Sequence, residues 1–211
     1  MKKQILAFAI AVGAFASAAW SGEMTDPRDG QSYRTVQIGT QTWMAENLNY
    51  AYLQATISGD PTSFCYKNSA DSCAKYGRLY TWEAALNACP EGWHLPSKAE
   101  FETLIASVGG EDVAGKALKS TNGWKDYTGR SCNGTDAYGF SALPAGDSYN
   151  SYGGFSDAGN SASFWSAAEY NSFYAVSMSL YYTYYSPDNA ELGGAIKSYG
   201  LSVRCLRDSR L

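Results

Sequence analysis

Gly92-Trp93-His94-Leu95-Pro96-Ser97-Lys98-Ala99-Glu100 announces a helix, and the rest of the layout can be read outward from it. Ser97 and Glu100 stand at the spacing of a capping box, in which each side chain satisfies the other residue's backbone N–H. Phe101, Leu104, Ile105 and Val108 follow at helical spacing and give this helix one apolar face. Upstream, Thr81 is placed as N-cap of a helix over residues 82–88, closed by Cys89-Pro90. Trp82, Ala85, Leu86 and Cys89 form its expected buried stripe. Residues 49–71 lack periodicity and read as irregular loop. Farther back, residues 33–38 alternate apolar with polar side chains, and Gly39-Thr40 turns the chain into residues 41–44. That opening hairpin commits Trp43 and Met44 to the core. Asp26-Pro27-Arg28-Asp29-Gly30 is turn material.

Downstream, a shorter third helix is expected over residues 111–118. After Trp124 the texture shifts to Gly, Ser, Tyr and Asn, with short strands expected at 140–143, 163–167 and 174–182. In the last, Tyr174, Val176, Met178, Leu180 and Tyr182 share one face, and Ala175, Ser177, Ser179 and Tyr181 the other. A closing strand covers residues 201–206, with Leu201, Val203 and Cys205 on one side. Helices early and strands late predict an α+β class. The expected architecture is a single domain of two or three short helices on short-stranded antiparallel sheets, with long loops, the sheet joining the first hairpin to the last strands.

The N-terminus reads as an export signal. Lys2 and Lys3 precede an apolar run over residues 5–15, and Ala16, Ser17, Ala18 and Ala19 offer cleavage sites. The signal is assigned to residues 1–19 and the domain to 20–211. The apolar run is too short to span about 30 Å of hydrocarbon, so the mature chain is not expected to cross a membrane. Its expected place is the periplasm, the outer surface or the medium. No cysteine precedes Cys65, which argues against a lipid-modified N-terminus. About 190 residues remain after cleavage, enough for one domain with a core. Loss of Lys2 and Lys3 carries the formal net charge from -4 to -6, and no Lys or Arg occurs between Ser131 and Ile196. Phosphate backbones require the opposite sign, so nucleic acid and anionic membrane surfaces are excluded as partners.

Five cysteines in an exported chain point to disulfides. Cys65 and Cys73 can close a local polar loop, Cys89 and Cys205 can staple the two ends, and Cys132 is left over as a thiol outside any bridge. Spacing leaves the pairing open, because five thiols allow about fifteen ways to form two bridges. With one histidine and no C-x-x-C, zinc ligation is not expected.

Six tyrosines fall within residues 170–185, interleaved with Ser, Asn and Asp. Tyrosine supplies large, rigid contact area and a hydroxyl, with Ser, Gly and Asn as adaptable hydrogen-bonding partners, which is the chemistry of protein paratopes. Tyrosine is also a good strand former, so Tyr174 and Tyr182 are assigned to partly buried positions. Tyr170, Tyr181, Tyr184 and Tyr185 are the ligand-binding candidates, with Tyr149 and Tyr152 in a Gly/Ser loop as further ones. Catalytic candidates are lacking. His94 reads as structural, the capping box accounts for Glu100, and Glu102 points elsewhere on the helix. No nucleophile, base and orienting group assemble, and the chain is not expected to be an enzyme.

Several ordered segments resemble the Fibrobacter succinogenes major paralogous domain. They are Val36-Gln37-Ile38-Gly39-Thr40-Gln41-Thr42-Trp43-Met44-Ala45-Glu46-Asn47-Leu48, Gly77-Arg78-Leu79-Tyr80-Thr81-Trp82, Cys89-Pro90-Glu91-Gly92-Trp93-His94-Leu95-Pro96, Asp136-Ala137-Tyr138-Gly139-Phe140-Ser141-Ala142-Leu143-Pro144-Ala145-Gly146, Phe164-Trp165-Ser166-Ala167 and Ser202-Val203-Arg204-Cys205-Leu206. The likeness runs over about residues 26–208. It implies an exported domain of unassigned molecular role, with a C-type-lectin-like layout similar to that of the formylglycine-generating enzymes. The order of Trp82, Cys89 and Cys205 resembles the lectin pattern of a first-helix cysteine bridged to a last-strand cysteine, which implies a Cys89–Cys205 bond. Phe164-Trp165-Ser166 through Arg204-Cys205 is also similar to the C-terminal segment of lectin-like proteins that is diversified at Asn, Ser and Tyr codons. The related oxidases need a closely spaced cysteine pair late in the chain, and Cys205 stands alone there. Ser186-Pro187-Asp188-Asn189 is a faint echo of a calcium-binding lectin triplet, and Phe164-Trp165-Ser166 lacks its carboxylate. No cofactor is assigned, and calcium is left open only as a structural ion.

The leading expectation is therefore an exported lectin-like module that binds a polysaccharide or a surface protein through its Tyr/Ser/Asn-rich C-terminal surface. The alternative is a structural, self-associating envelope or matrix component, with Cys132 available for an intermolecular bridge. An oxidase of the formylglycine-generating type comes last. The sequence sets neither ligand identity nor oligomeric state.

Overall fold

The computed structural model describes residues 20–52, 62–149, 154–181 and 188–209; the expected signal peptide lies outside them. In chain order the strands β1 (Trp20–Thr25), β2 (Ser32–Ile38), β3 (Gln41–Met44) and β4 (Ser63–Phe64) lead to a 3₁₀ turn (Tyr66–Asn68) and helix α1 (Ala70–Tyr76). Then come β5 (Leu79–Tyr80), α2 (Trp82–Ala85), β6 (Trp93–His94), α3 (Lys98–Ser107) and α4 (Glu111–Leu118). The second half holds β7 (Asp147–Ser148), β8 (Phe155–Ser156), β9 (Ser161–Glu169), β10 (Tyr174–Tyr181), β11 (Ala190–Ile196), β12 (Leu201–Ser202) and β13 (Leu206–Arg207). This is an α+β domain, with its four described α-helices all between Ala70 and Leu118. None of the described helices is long and apolar enough to cross a membrane.

One sheet has the order β1-β2-β3-β13-β6 and the other β11-β10-β9-β12-β5-β4, with β7-β8 as a separate ribbon. The opening hairpin forms as its alternation predicts, pairing Val36 with Trp43 around a turn in which Gly39 takes φ 58°. Leu206 pairs with Trp43 on one side and His94 on the other, so the last strand does join the first hairpin. The sheets are antiparallel except where β12 runs parallel to β9.

Between the sheets and α3–α4 lies an aromatic spine. Trp43 stacks on Phe101 at 5.4 Å between centroids and meets Phe140 edge-on at 5.8 Å, and Phe140 meets Phe164 edge-on at 5.8 Å. Phe164 pairs with Met178, and Ala162 with Leu180, carrying the core face of the second sheet under the helices. Burying each such ring contributes roughly 1.5–3 kcal/mol. The capping box of α3 is complete, with the Glu100 N–H reaching Ser97 Oγ at 3.3 Å and the Ser97 N–H reaching Glu100 Oε2 at 2.7 Å. Its four predicted apolar residues are all buried. Helix α4 packs on the lead into β11 at Gly115, where a Cβ would stand 2.2 Å from the Asn189 carbonyl oxygen. A second apolar cluster gathers Tyr33, Met44, Leu48, Tyr80, Leu95, Trp165 and Val203. The Trp165 indole N–H there donates to the Tyr80 carbonyl at 2.7 Å.

Four expectations need correction. Residues 70–76 form α1, which begins inside the 49–71 stretch read as loop and was not expected, because its polar surface leaves Cys73 as its single buried residue and hence no apolar period. Helix α2 starts after Thr81 as expected, although the Thr81 hydroxyl turns to the Thr62 carbonyl, but it stops at Ala85, and Leu86 is exposed while Ala84 and Ala88 are buried. Residues 140–143 make a single bridge, Lys119 to Ala142, because Ser141 adopts φ 51° and interrupts the extended run. The closing strand is broken in two, with β12 in one sheet and β13 in the other.

Arg204 holds that crossing. It is fully buried, and its Nε donates to Asn47 Oδ1 at 2.7 Å while its terminal nitrogens donate to the carbonyls of Met44, Phe140 and Ser141. Its guanidinium lies 4.5 Å from the Phe140 ring centroid. Burial pulls its pKa down, the carboxylates of Asp136 and Glu46 pulling the other way. Beside it, Cys205 is bonded to Cys89 across 116 residues, and Cys65 to Cys73 across 8. Cys132 is buried outside either bridge, which removes the surface thiol that an intermolecular bond would need.

Candidate functional site

On the face of the second sheet turned away from the aromatic spine, β9, β10 and β11 bring Ser163, Ser177, Ser179 and Gly193 side by side. Ser179 pairs directly with Ser163 on one flank and Glu191 on the other, and Ser177 pairs with Gly193. Directly paired residues point to the same side of a sheet, so the alternation that buries Met178 and Leu180 turns these hydroxyls the other way. They form the recessed floor of a groove of about 430 Å³. Tyr174 and Tyr181 line it at the two ends of β10, and Tyr199, Leu201 and Asp147 contribute from the chain beyond.

Its chemistry is hydroxyl and carboxylate. The Ser163 and Ser179 hydroxyls lie 2.9 Å apart. Burial pushes the Asp147 carboxyl up from the usual carboxylate range, although the Ser156 hydroxyl donates to it at 2.9 Å. Asp147 and Glu191 face the groove, and among the described residues no Lys, Arg or His lines it. A Cβ at Gly193 would meet nothing within 4 Å.

A family model, the Fibrobacter succinogenes major domain, matches residues 36–207. The chain belongs to this family. No curated protein and no solved structure matches it. The match to the Fibrobacter succinogenes major domain takes in every groove residue, while β1 lies ahead of it.

The tyrosines singled out from sequence fall in different places. Tyr181 is 37% exposed and lines the groove. Tyr170, 68% exposed, lies against Gly194 on the face opposite the serines and does not line the groove; it sits on the β9–β10 connection with Phe173 at 74%. Tyr149 is exposed but does not line the groove. Tyr152, Tyr182, Tyr184 and Tyr185 lie outside the described residues, as do Ser186 and Pro187 of the calcium-like triplet. Tyr174, expected to be partly buried, is 39% exposed at the start of β10. Sequence reasoning missed Asp147, Glu191, Gly193 and Tyr199, which only the strand order brings together. The Gly193-Gly194 pair inside a strand was the one local signal, since glycine there marks close approach or an open surface.

The remaining polar centres are tied into the fold by hydrogen bonds and ion pairs. His94 Nδ1 lies 2.6 Å from Asp208 and Nε2 2.9 Å from Glu100, joining β6, α3 and the C-terminal end. Burial lowers the His94 pKa, but the hydrogen bonds to Asp208 and Glu100 raise it further, and the net shift is upward. A second concavity of about 410 Å³ is lined by Arg34, Glu46, Asn49, Lys75, Asp136 and Arg204 among others. Arg34 pairs with Glu46 at 3.0 Å and Asp136 accepts the Ser141 N–H at 2.7 Å, so both carboxylates there are already engaged. Among the described residues, no group of three or more His, Cys, Asp or Glu side chains is arranged to hold a metal ion.

Proposed function

We propose that this chain is an exported, non-catalytic binding module that recognises carbohydrate through the β9–β10–β11 groove. The observation that carries the reading is the serine-floored groove with Tyr181 and Tyr199 in its lining and carboxylates beside it. Serine hydroxyls both donate and accept, carboxylates accept strongly from hydroxyl donors, and aromatic faces cover the apolar faces of sugar rings. Two disulfides and the predicted leader support an oxidising compartment outside the cytoplasm. The lectin-like likeness of several motifs supports the same class of ligand.

The test is binding of the mature, disulfide-bonded protein to a glycan array and to insoluble plant and bacterial polymers, beside the variant Gly193→Trp. That indole fills the groove from a position with open space around it, so the fold is expected to survive, as checked by circular dichroism. Binding that the variant loses supports the reading. Binding that Gly193→Trp retains, or capture of surface proteins alone, refutes it.

A further inference from the structure

We infer that the groove accepts an internal segment of an uncharged polysaccharide chain lying along β10, and discriminates against acidic glycans. This rests on the carbohydrate reading and adds charge and length to it.

Charge comes from the lining. Asp147 and Glu191 face the groove without a cation among its described lining residues. An approaching uronate, sulfate or phosphate group meets like charge on both flanks, and like-charge juxtaposition works against binding as strongly as a good contact favours it. A neutral sugar meets the same carboxylates as acceptors for its hydroxyl protons, in charge-assisted hydrogen bonds. The paired Ser163 and Ser179 hydroxyls can rotate to donate or accept, which suits hydroxyls and not a fixed anion.

Length comes from the strand. On the serine face the lining runs from Tyr181 past Ser179 and Ser177 to Ala195, which pairs with Ala175. At about 3.3 Å per residue those six steps of β10 cover roughly 20 Å, room for several pyranose rings in a row. At Gly193, midway along that run, a Cβ would meet nothing within 4 Å.

The experiment uses the full mature protein and matched polymer pairs: hydroxyethyl- and carboxymethyl-cellulose, galactan and polygalacturonate, mannan and alginate. Affinity electrophoresis ranks them, and calorimetry follows the tightest with its oligosaccharides from one to six units. The expected result is retention by an uncharged member, with its acidic counterpart weaker by about tenfold or more. Affinity should climb with length through at least four units. Glu191→Gln, at an exposed position, should narrow the neutral-over-acidic ratio severalfold and leave the melting temperature in place. Tighter binding to an acidic member, or equal binding of monomer and hexamer, overturns the inference and leaves carbohydrate recognition standing. Retention by none of the polymers overturns both.

Discussion

Replacing Cys89 and Cys205 together by alanine should cost far more stability than replacing Cys65 and Cys73. The reason is the span each bond closes. In the chain-entropy picture a cross-link over 116 residues restricts the unfolded chain by about 5 kcal/mol, and one over 8 residues by about 2.5 kcal/mol. The folded state adds to the difference. Cys205 is fully buried in the second apolar cluster, its carbonyl accepts the Met44 N–H at 3.1 Å, and Arg204 beside it holds the crossing between the sheets. Cys65 and Cys73 tie only α1 to the loop before it. Since domains of this size are stable by about 5–15 kcal/mol, loss of the long bridge should leave the protein marginal. Equilibrium urea unfolding of the mature protein and both double variants at neutral pH reads this directly. The long-bridge variant should lose roughly twice the free energy of the short-bridge variant. Equal losses, or a larger loss at Cys65–Cys73, would refute the assignment of Cys89–Cys205 as the tie between the two ends of the fold.

Two further outcomes follow from single side chains. The His94 pKa is raised in the folded protein, so its pairing with Asp208 and Glu100 stabilises fully below about pH 6.5 and is lost as pH rises through the folded value. Melting temperatures measured from pH 6 to 8.5 should fall in wild type relative to His94→Gln, and parallel curves would show that the pairing contributes nothing. Gly115→Ala reverses a familiar sign: alanine in a helix interior is normally favoured by about 1 kcal/mol, yet here its methyl would meet the Asn189 carbonyl at 2.2 Å. The variant should unfold at lower urea than wild type, and a gain in stability would mean that α4 does not lie so close to β11.

Local signals were legible in the chain and long-range ones were not. The capping box at Ser97 and Glu100, the apolar face of α3 and the 33–44 hairpin depend on neighbours a few residues away, and they form as the sequence predicts. Helix α1 escaped because a short polar helix held by a disulfide has no apolar period to read. The division of residues 201–206 escaped because nothing in Leu201, Val203 and Cys205 says that Arg204 will be caged between two sheets. For the groove, the alternation of β10 already put Ser177, Ser179 and Tyr181 on one face. Asp147, Glu191 and Tyr199 come from elements whose adjacency exists only once β11, β10 and β9 have lined up.

A ¹H–¹⁵N chemical-shift titration of the mature protein with the best-retained oligosaccharide locates the contact surface. Ligand recognition by the groove predicts saturable shifts at Ser163, Ser177, Ser179, Glu191 and Gly193, all absent in Gly193→Trp. Shifts confined to Tyr170 and Phe173, or to the cleft around Arg34 and Asp136, with the serines silent, would contradict it.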